Sequence, residues 1–213
     1  MIYENMHFSR FSMYREIEKW VDRNRANSSG NIGKTVGGCT PIIELFPEVK
    51  WEITNCFTYK NVDELIFRPS PKIDFTLSRY GIDAHSLPWE NGEIDILVSD
   101  QMLEHVRRPW IAAEELLRVL RKGGLLICTT CFMQRSHDKG TYFNFHPRGL
   151  KELFGASLDN ASISGWGHRI ANDIINYSNA RNVRVKHNAK LKEMCMYNDH
   201  DSPFSTWVCG IKK

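Results

Sequence analysis

The chain reads as an α/β protein built on a mainly parallel sheet, and three observations predict this. Apolar runs of strand length alternate with segments of helical periodicity, the pattern of βαβ units. The run Glu93-Ile94-Asp95-Ile96-Leu97-Val98 is apolar almost throughout, as expected of a strand covered on both faces. A second buried run, Leu125 to Phe132, follows one helical stripe, so strand, helix and strand succeed one another.

In chain order, residues 7–25 predict an amphipathic helix, because Phe8, Phe11, Tyr14, Ile17 and Val21 recur at spacings of three and four. Its two readings are a helix packed on the domain edge and a lid over a site. Asn27-Ser28-Ser29-Gly30 breaks it. Residues 31–55 predict strand, turn, short helix and strand. Gly37-Gly38-Cys39-Thr40-Pro41 makes the turn, and Pro41 suits a first helical turn. Residues 73–77 form a short strand leading towards Asp83. Residues 108–122 follow the 93–98 strand as a helix, with Pro109 at its start and Ala113, Leu116, Leu117 and Leu120 in one stripe. Arg118, Arg121 and Lys122 suit its negative end, and Gly123-Gly124 predicts a left-handed cap. Pro147 opens a further short helix, and residues 205–211 form a last strand. Residues 166–203 are polar, rich in Asn and His, and read as an insertion over the active face.

The length of 213 residues fits one domain with an ordinary core. A formal net charge of +3 gives no argument for a nucleic-acid partner. The basic run over residues 181–192 reads first as a solvated face, with RNA or a phosphorylated acceptor as the alternative. No apolar run approaches the roughly 18–20 residues that span a bilayer, so no membrane association is expected. The N-terminus lacks a basic region followed by an apolar one, and the expected compartment is the cytoplasm. The six cysteines are expected to be reduced thiols. Cys128 and Cys131 lie three apart in a strand and face opposite sides, so they cannot chelate one metal together, and no metal site is expected.

Three segments then stand out together. They are Asp83-Ala84-His85-Ser86-Leu87-Pro88-Trp89, Ile94-Asp95-Ile96-Leu97-Val98-Ser99 and Leu103-Glu104-His105-Val106. With Leu117-Arg118-Val119-Leu120-Arg121-Lys122-Gly123-Gly124 they resemble class I S-adenosylmethionine-dependent methyltransferases, particularly the small-molecule branch. The resemblance is strong over residues 80–155 and weak in the flanks. It implies a Rossmann-like, seven-stranded, mainly parallel sheet with helices on both faces and an antiparallel last strand, one methyltransferase domain over 1–213. It implies S-adenosylmethionine as cofactor. Asp83 then matches the acceptor of the adenine amino group, and Ala84 offers its backbone N–H to the ring. Ser99, Asp100 and Gln101 line the same edge.

Two positions depart from the family. Its glycine-rich turn is reduced to Gly37 and Gly38, which also fits a plain tight turn. The acidic residue that usually takes the ribose hydroxyls is replaced by Asn55, with Glu52 as a less favoured substitute. Asn accepts through its carbonyl without charge, and charge-assisted bonds are about twice as strong.

The expected reaction is in-line methyl transfer to O or N of a small-molecule acceptor such as a sugar or secondary metabolite. A non-catalytic binding module and an RNA methyltransferase are the alternatives. The absence of Gly-x-Gly-x-x-Gly argues against a nicotinamide dehydrogenase. Asp100, Gln101, His105, His137, Asn144 and His146 are candidates for the acceptor side. His137 is the preferred general base, with Asp138 or Tyr142 as replacements, and His105 is the second catalytic candidate.

Overall fold

Two helical layers explain why the central strands are apolar without a break. The computed structural model describes residues 8–25, 30–38, 40–55, 67–78, 81–137, 140–177 and 189–213. Its strands are β1 (Ile32–Val36), β2 (Lys50–Thr54), β3 (Phe75–Leu77), β4 (Ile94–Asp100), β5 (Leu120–Cys131), β6 (Leu158–Trp166) and β7 (Ser205–Lys212). Its helices are α1 (Phe8–Asn24), α2 (Pro109–Val119), α3 (Pro147–Phe154), α4 (Arg169–Tyr177) and α5 (Ala189–Met194). Alternate residues of one strand face opposite layers. Ile96, Val98, Leu125 and Ile127 pack with Phe11, Tyr14, Ile17 and Trp20 of α1 and Ile175 of α4. Leu97, Leu126 and Cys128 pack with Ala113 and Leu116 of α2 and Leu150 and Phe154 of α3. Truncating such a residue, Leu126 for example, costs about 2–5 kcal/mol.

The sheet order is β3-β2-β1-β4-β5-β7-β6. The pairs from β3 through β5 are parallel. β7 runs antiparallel to both β5 and β6. This is the expected seven-stranded architecture with its antiparallel last strand. The strand order turns back between β1 and β4, which makes their carboxyl ends the crevice where open α/β sheets take ligands. Among the described residues no helix is long and apolar enough to cross a membrane.

One expectation fails locally. α2 stops at Val119, Leu120 is already extended, and the expected glycine cap is not made. Gly123 does adopt a left-handed conformation, with φ +72°. It does so at the start of β5, where the pairing with β4 shifts register between Ile94 and Ile96. Arg121, expected on the helix end, binds the Asp95 carboxylate of β4 instead. Cross-strand pairing, which local sequence does not report, outweighs the helix-stop signal.

Cys128, Cys131, Cys195 and Cys209 are buried. Burial pushes Cys128 and Cys209 well above the ordinary thiol range, and Cys195 to about 12. Between β6 and β7, α4 and α5 occupy part of the expected insertion. Of the basic run, residues 181–188 lie outside the described residues, as does Asp138.

Candidate active site

The glycine turn sits where β1 meets the end of β4. Gly37 and Gly38 hold φ of +108° and +114°, a region that side chains disfavour. A Cβ on Gly37 would come within 2.9 Å of the Asp100 carbonyl oxygen and of the Met102 Cβ. The chain therefore needs glycine here for space and for conformation. Gly38 N–H donates to the Thr54 carbonyl at 3.0 Å, tying the turn to the end of β2. Asn55 follows directly, half-buried, and its carbonyl takes the Ile82 N–H at 2.9 Å. Glu52 lies mid-strand and pairs with Lys34, so Asn55 holds the strand-end position.

The loop carrying Asp83 is clamped from α2. Arg118 donates to the carbonyls of Leu87 and Trp89 at 3.0 and 2.8 Å, and Glu115 accepts the Leu87 N–H at 2.7 Å. The two side chains also pair with each other, which holds the Glu115 carboxyl below its ordinary range. Within the loop, the His85 N–H and Nδ1 both reach Asp83 Oδ1, at 2.9 and 2.7 Å. His85 Nε2 accepts the Arg108 N–H at 3.2 Å, so Nδ1 carries the ring proton and donates to Asp83. The backbone N–H of His85, then its ring, pull the Asp83 carboxyl down. Both bonds land on one oxygen, and the carboxylate keeps its second as an acceptor. The Asp83 side chain is 67% exposed. Ala84 beside it is buried.

Past β4 the backbone turns sharply, with Gln101 at φ +54°. Gln101 N–H and its side-chain amide are both held by Thr129, at 3.0–3.2 Å. Asp100 is committed to α1. Its Oδ2 accepts from the Tyr14 hydroxyl at 3.0 Å and from Arg10 at 3.4 Å, and its Oδ1 from Thr129. Burial and then the Asp100 charge push the Tyr14 hydroxyl far above its usual range. Ser99 is wholly buried in the sheet, with Cys128 beside it, and does not open to the crevice.

His105 closes a short 3-10 turn, Leu103–His105. The segment after β5 folds back over this turn, because the Tyr142 N–H donates to the Glu104 carbonyl at 2.8 Å. That return brings His137 against His105, with ring centroids 4.9 Å apart and edge to face. The two histidines singled out from separate motifs are thus neighbours. Of the other acceptor-side residues, His146 caps α3 by accepting the Arg148 N–H at 3.2 Å. Asn144 donates to the Gln134 carbonyl at 3.3 Å, and Tyr142 is exposed beside Arg107.

A cleft of about 570 Å³ joins the two halves, lined by Asp83, Ala84 and His85 on one side and His105, Val106 and Arg107 on the other. His85, Val106 and Arg107 were not legible as site residues. Glu104, buried at 0% exposure beneath the same turn, was also missed. Its signal was a carboxylate between Leu103 and Val106, two core positions.

This sheet order, with a glycine turn after β1 and an acidic loop after β3, is that of the class I methyltransferases. Residues 62–128 match the family model described as a methyltransferase domain. That stretch is similar to the domain of S-adenosylmethionine-dependent methyltransferases. An uncharacterized methyltransferase of Mycolicibacterium gilvum is 48% identical over 89 residues, covering 41% of this chain and 32% of that one. One from Mycobacterium avium is 30% identical over 94 residues, 37% of each chain. The chain thus spans about a third of the length of the curated relatives it matches. Among solved structures, a SAM-dependent methyltransferase from Archaeoglobus fulgidus superposes with TM-score 0.54 at 14% identity, covering 93% of this chain and 94% of that one. The [4+2]-cyclase SpnF superposes with TM-score 0.50 at 18% identity, covering 92% and 80%.

The residues present fit the cofactor. The Gly37 turn leaves backbone without side chain at the crevice, Asp83 offers an accepting oxygen to an exocyclic amine, and buried Ala84 leaves room for a flat ring. Asn55 stands half-buried at the end of β2, beside the Gly38 turn.

Proposed function

We propose that the chain is an S-adenosylmethionine-dependent methyltransferase acting on a small-molecule acceptor such as a sugar or secondary metabolite. The observation that carries this reading is the cleft that connects Asp83 and Ala84 to His105 at the carboxyl edge of the sheet. Asp83 and Ala84 in the cleft, with Gly37, Gly38 and Asn55 at the neighbouring ends of β1 and β2, hold the cofactor, and Gln101 shapes the turn after β4. Asp100 acts through α1, fixing Tyr14 and Arg10 as one wall, rather than by touching the cofactor.

The bound cofactor supplies an activated methyl group on a positively charged sulfur. The protein's task is then to align an acceptor atom and keep water out. His105 and His137 bring basic nitrogens to the acceptor side, His137 being the preferred proton acceptor. Trp110, Tyr142 and Phe143 are exposed nearby, with the Trp110 and Phe143 rings 6.3 Å apart, and they suit an acceptor with an apolar body. Asn176 of α4 binds the loop carrying His137, through the Arg135 N–H at 3.0 Å and the Met133 carbonyl at 2.9 Å. The segment after β6 thereby stiffens the acceptor side.

A second reading is a methyltransferase-like module that binds without methyl transfer, and the neutral Asn55 favours it. Calorimetric titration with S-adenosylmethionine decides between cofactor use and none. Saturable binding with one site per chain is expected. Absence of binding at millimolar cofactor would rule out the enzyme.

A further inference from the structure

Three side chains converge under the acceptor end of the cleft. A carboxylate oxygen of Glu104 and one ring nitrogen each of His105 and His137 lie within 4.8 Å of one another. Bonds of roughly 2.0–2.2 Å to a shared ion put ligand atoms about 3–4 Å apart.

Two further observations point to a cation. The first is Glu104 itself. Its Oε2 accepts from the Thr130 hydroxyl at 2.8 Å. Its Oε1 is buried with no hydrogen-bond partner among the described residues. A buried acceptor left unmade is costly, and a cation beside it removes the cost. The second is the orientation of both rings. His105 Nδ1 lies 2.7 Å from the Gly140 carbonyl, and His137 Nδ1 lies 3.1 Å from the Arg135 carbonyl. A carbonyl oxygen only accepts, so each Nδ1 carries the proton and each neutral ring has its lone pair on Nε2. Ligating histidines are held this way, with the far nitrogen donating to a carbonyl or carboxylate.

We propose that Glu104, His105 and His137 bind a divalent first-row transition-metal ion, and that this ion takes a hydroxyl oxygen of the acceptor. The first half stands on the geometry alone; the second rests on the methyltransferase reading. Two imidazoles and one carboxylate leave coordination positions open, and nitrogen donors favour zinc, copper, nickel or iron over calcium, magnesium and manganese. The ion lowers the pKa of a bound hydroxyl, and the hydroxyl proton leaves to solvent. The oxygen then bonds to the methyl carbon as the carbon–sulfur bond breaks, and sulfur keeps the electron pair as a neutral thioether. With the ion in place, the ion activates the acceptor and His137 serves as its ligand. The acceptor class narrows to alcohols and polyols able to bind a metal.

The test uses the tag-free full chain, stripped with chelator and titrated with Co²⁺ while its visible absorption is followed. One Co²⁺ per chain is expected, with the strong ligand-field bands of low coordination number. His137→Ala and Glu104→Gln should weaken binding at least tenfold, while His200→Ala should leave it unchanged. If Glu104→Gln loses its far-ultraviolet circular dichroism, His137→Ala decides alone, because that residue lies on a half-exposed loop. No stoichiometric Co²⁺ binding, or equal binding by His137→Ala, overturns the metal site. Titration of the stripped chain with S-adenosylmethionine separates the two readings. Cofactor binding without Co²⁺ binding overturns the metal site only. Co²⁺ binding without cofactor binding keeps the metal site and overturns its role in methyl transfer.

Discussion

Replacing Tyr14 by Phe removes one hydroxyl and leaves the ring in the core. That hydroxyl donates to Asp100 Oδ2 at 3.0 Å. Tyr14 is buried, and the Asp100 side chain is only 9% exposed, so water screens the bond little. A hydrogen bond to an ionised acceptor contributes about 1.5–3 kcal/mol. Arg10 at 3.4 Å and Thr129 still hold the carboxylate, which argues for the lower part of that range, near 2 kcal/mol. For a chain of this length each kcal/mol moves the thermal midpoint by about 2–4 °C. Tyr14→Phe should therefore melt about 4–8 °C below the parent in a calorimetric scan at pH 7. Urea unfolding should show a lower midpoint with an unchanged slope. In an Asp100→Asn background the same change should cost about 1 kcal/mol less, because the two groups are coupled. An unchanged midpoint in Tyr14→Phe would refute the reasoning, since it would mean that the bond contributes nothing over solvation.

Further outcomes follow from single sites. Gly37→Ala must pay for a left-handed Ala, about 1–2 kcal/mol, and for contact with the Asp100 carbonyl. It should lose at least tenfold in S-adenosylmethionine affinity by calorimetry. Asp83→Asn keeps an acceptor but loses its charge, and cofactor affinity should fall roughly five- to tenfold, about 1 kcal/mol, while Ser86→Ala in the same loop changes little. His168 is buried, its Nδ1 accepts the Ala171 N–H at 3.3 Å, and burial holds its pKa below the ordinary value. The unfolded chain thus binds that proton more readily, so stability present above about pH 6.5 is lost as pH falls through the imidazole range. Thermal midpoints measured from pH 7.5 to 5 should drop less in His168→Gln than in the parent.

Continuous apolar strands announced the parallel sheet because burial on both faces leaves no alternation, as β4 illustrates. The end of α2 was misread because a left-handed glycine serves equally as a helix cap and as a strand irregularity. Only the pairing of Ile94 with Leu120 distinguishes them. Asp83 and His105 could be singled out because their motifs are local, and both line one cleft. The contact between His105 and His137 was not, because it depends on the fold-back of Tyr142 onto the Glu104 carbonyl. Ser99 looked available at a strand end, yet one residue of strand alternation turned it inward, and Asp100 was claimed by a helix far away in sequence.

α1 ties together parts of the chain that emerge from synthesis at opposite times. Trp20 Nε1 donates to the Asn160 carbonyl at 2.9 Å, and the Ser12 hydroxyl donates to the Cys195 carbonyl at 2.5 Å. Its apolar stripe meets Trp207 and Cys209 of β7 in one core. Such long-range closure slows folding and leaves a sticky aromatic helix waiting on the ribosome. Until β7 docks, α1 lacks part of its seat and Asp100 lacks Tyr14. The Asp100 end of β4 thus takes its partners from a helix whose seat residues 205–212 complete, although the glycine turn and acidic loop are translated earlier.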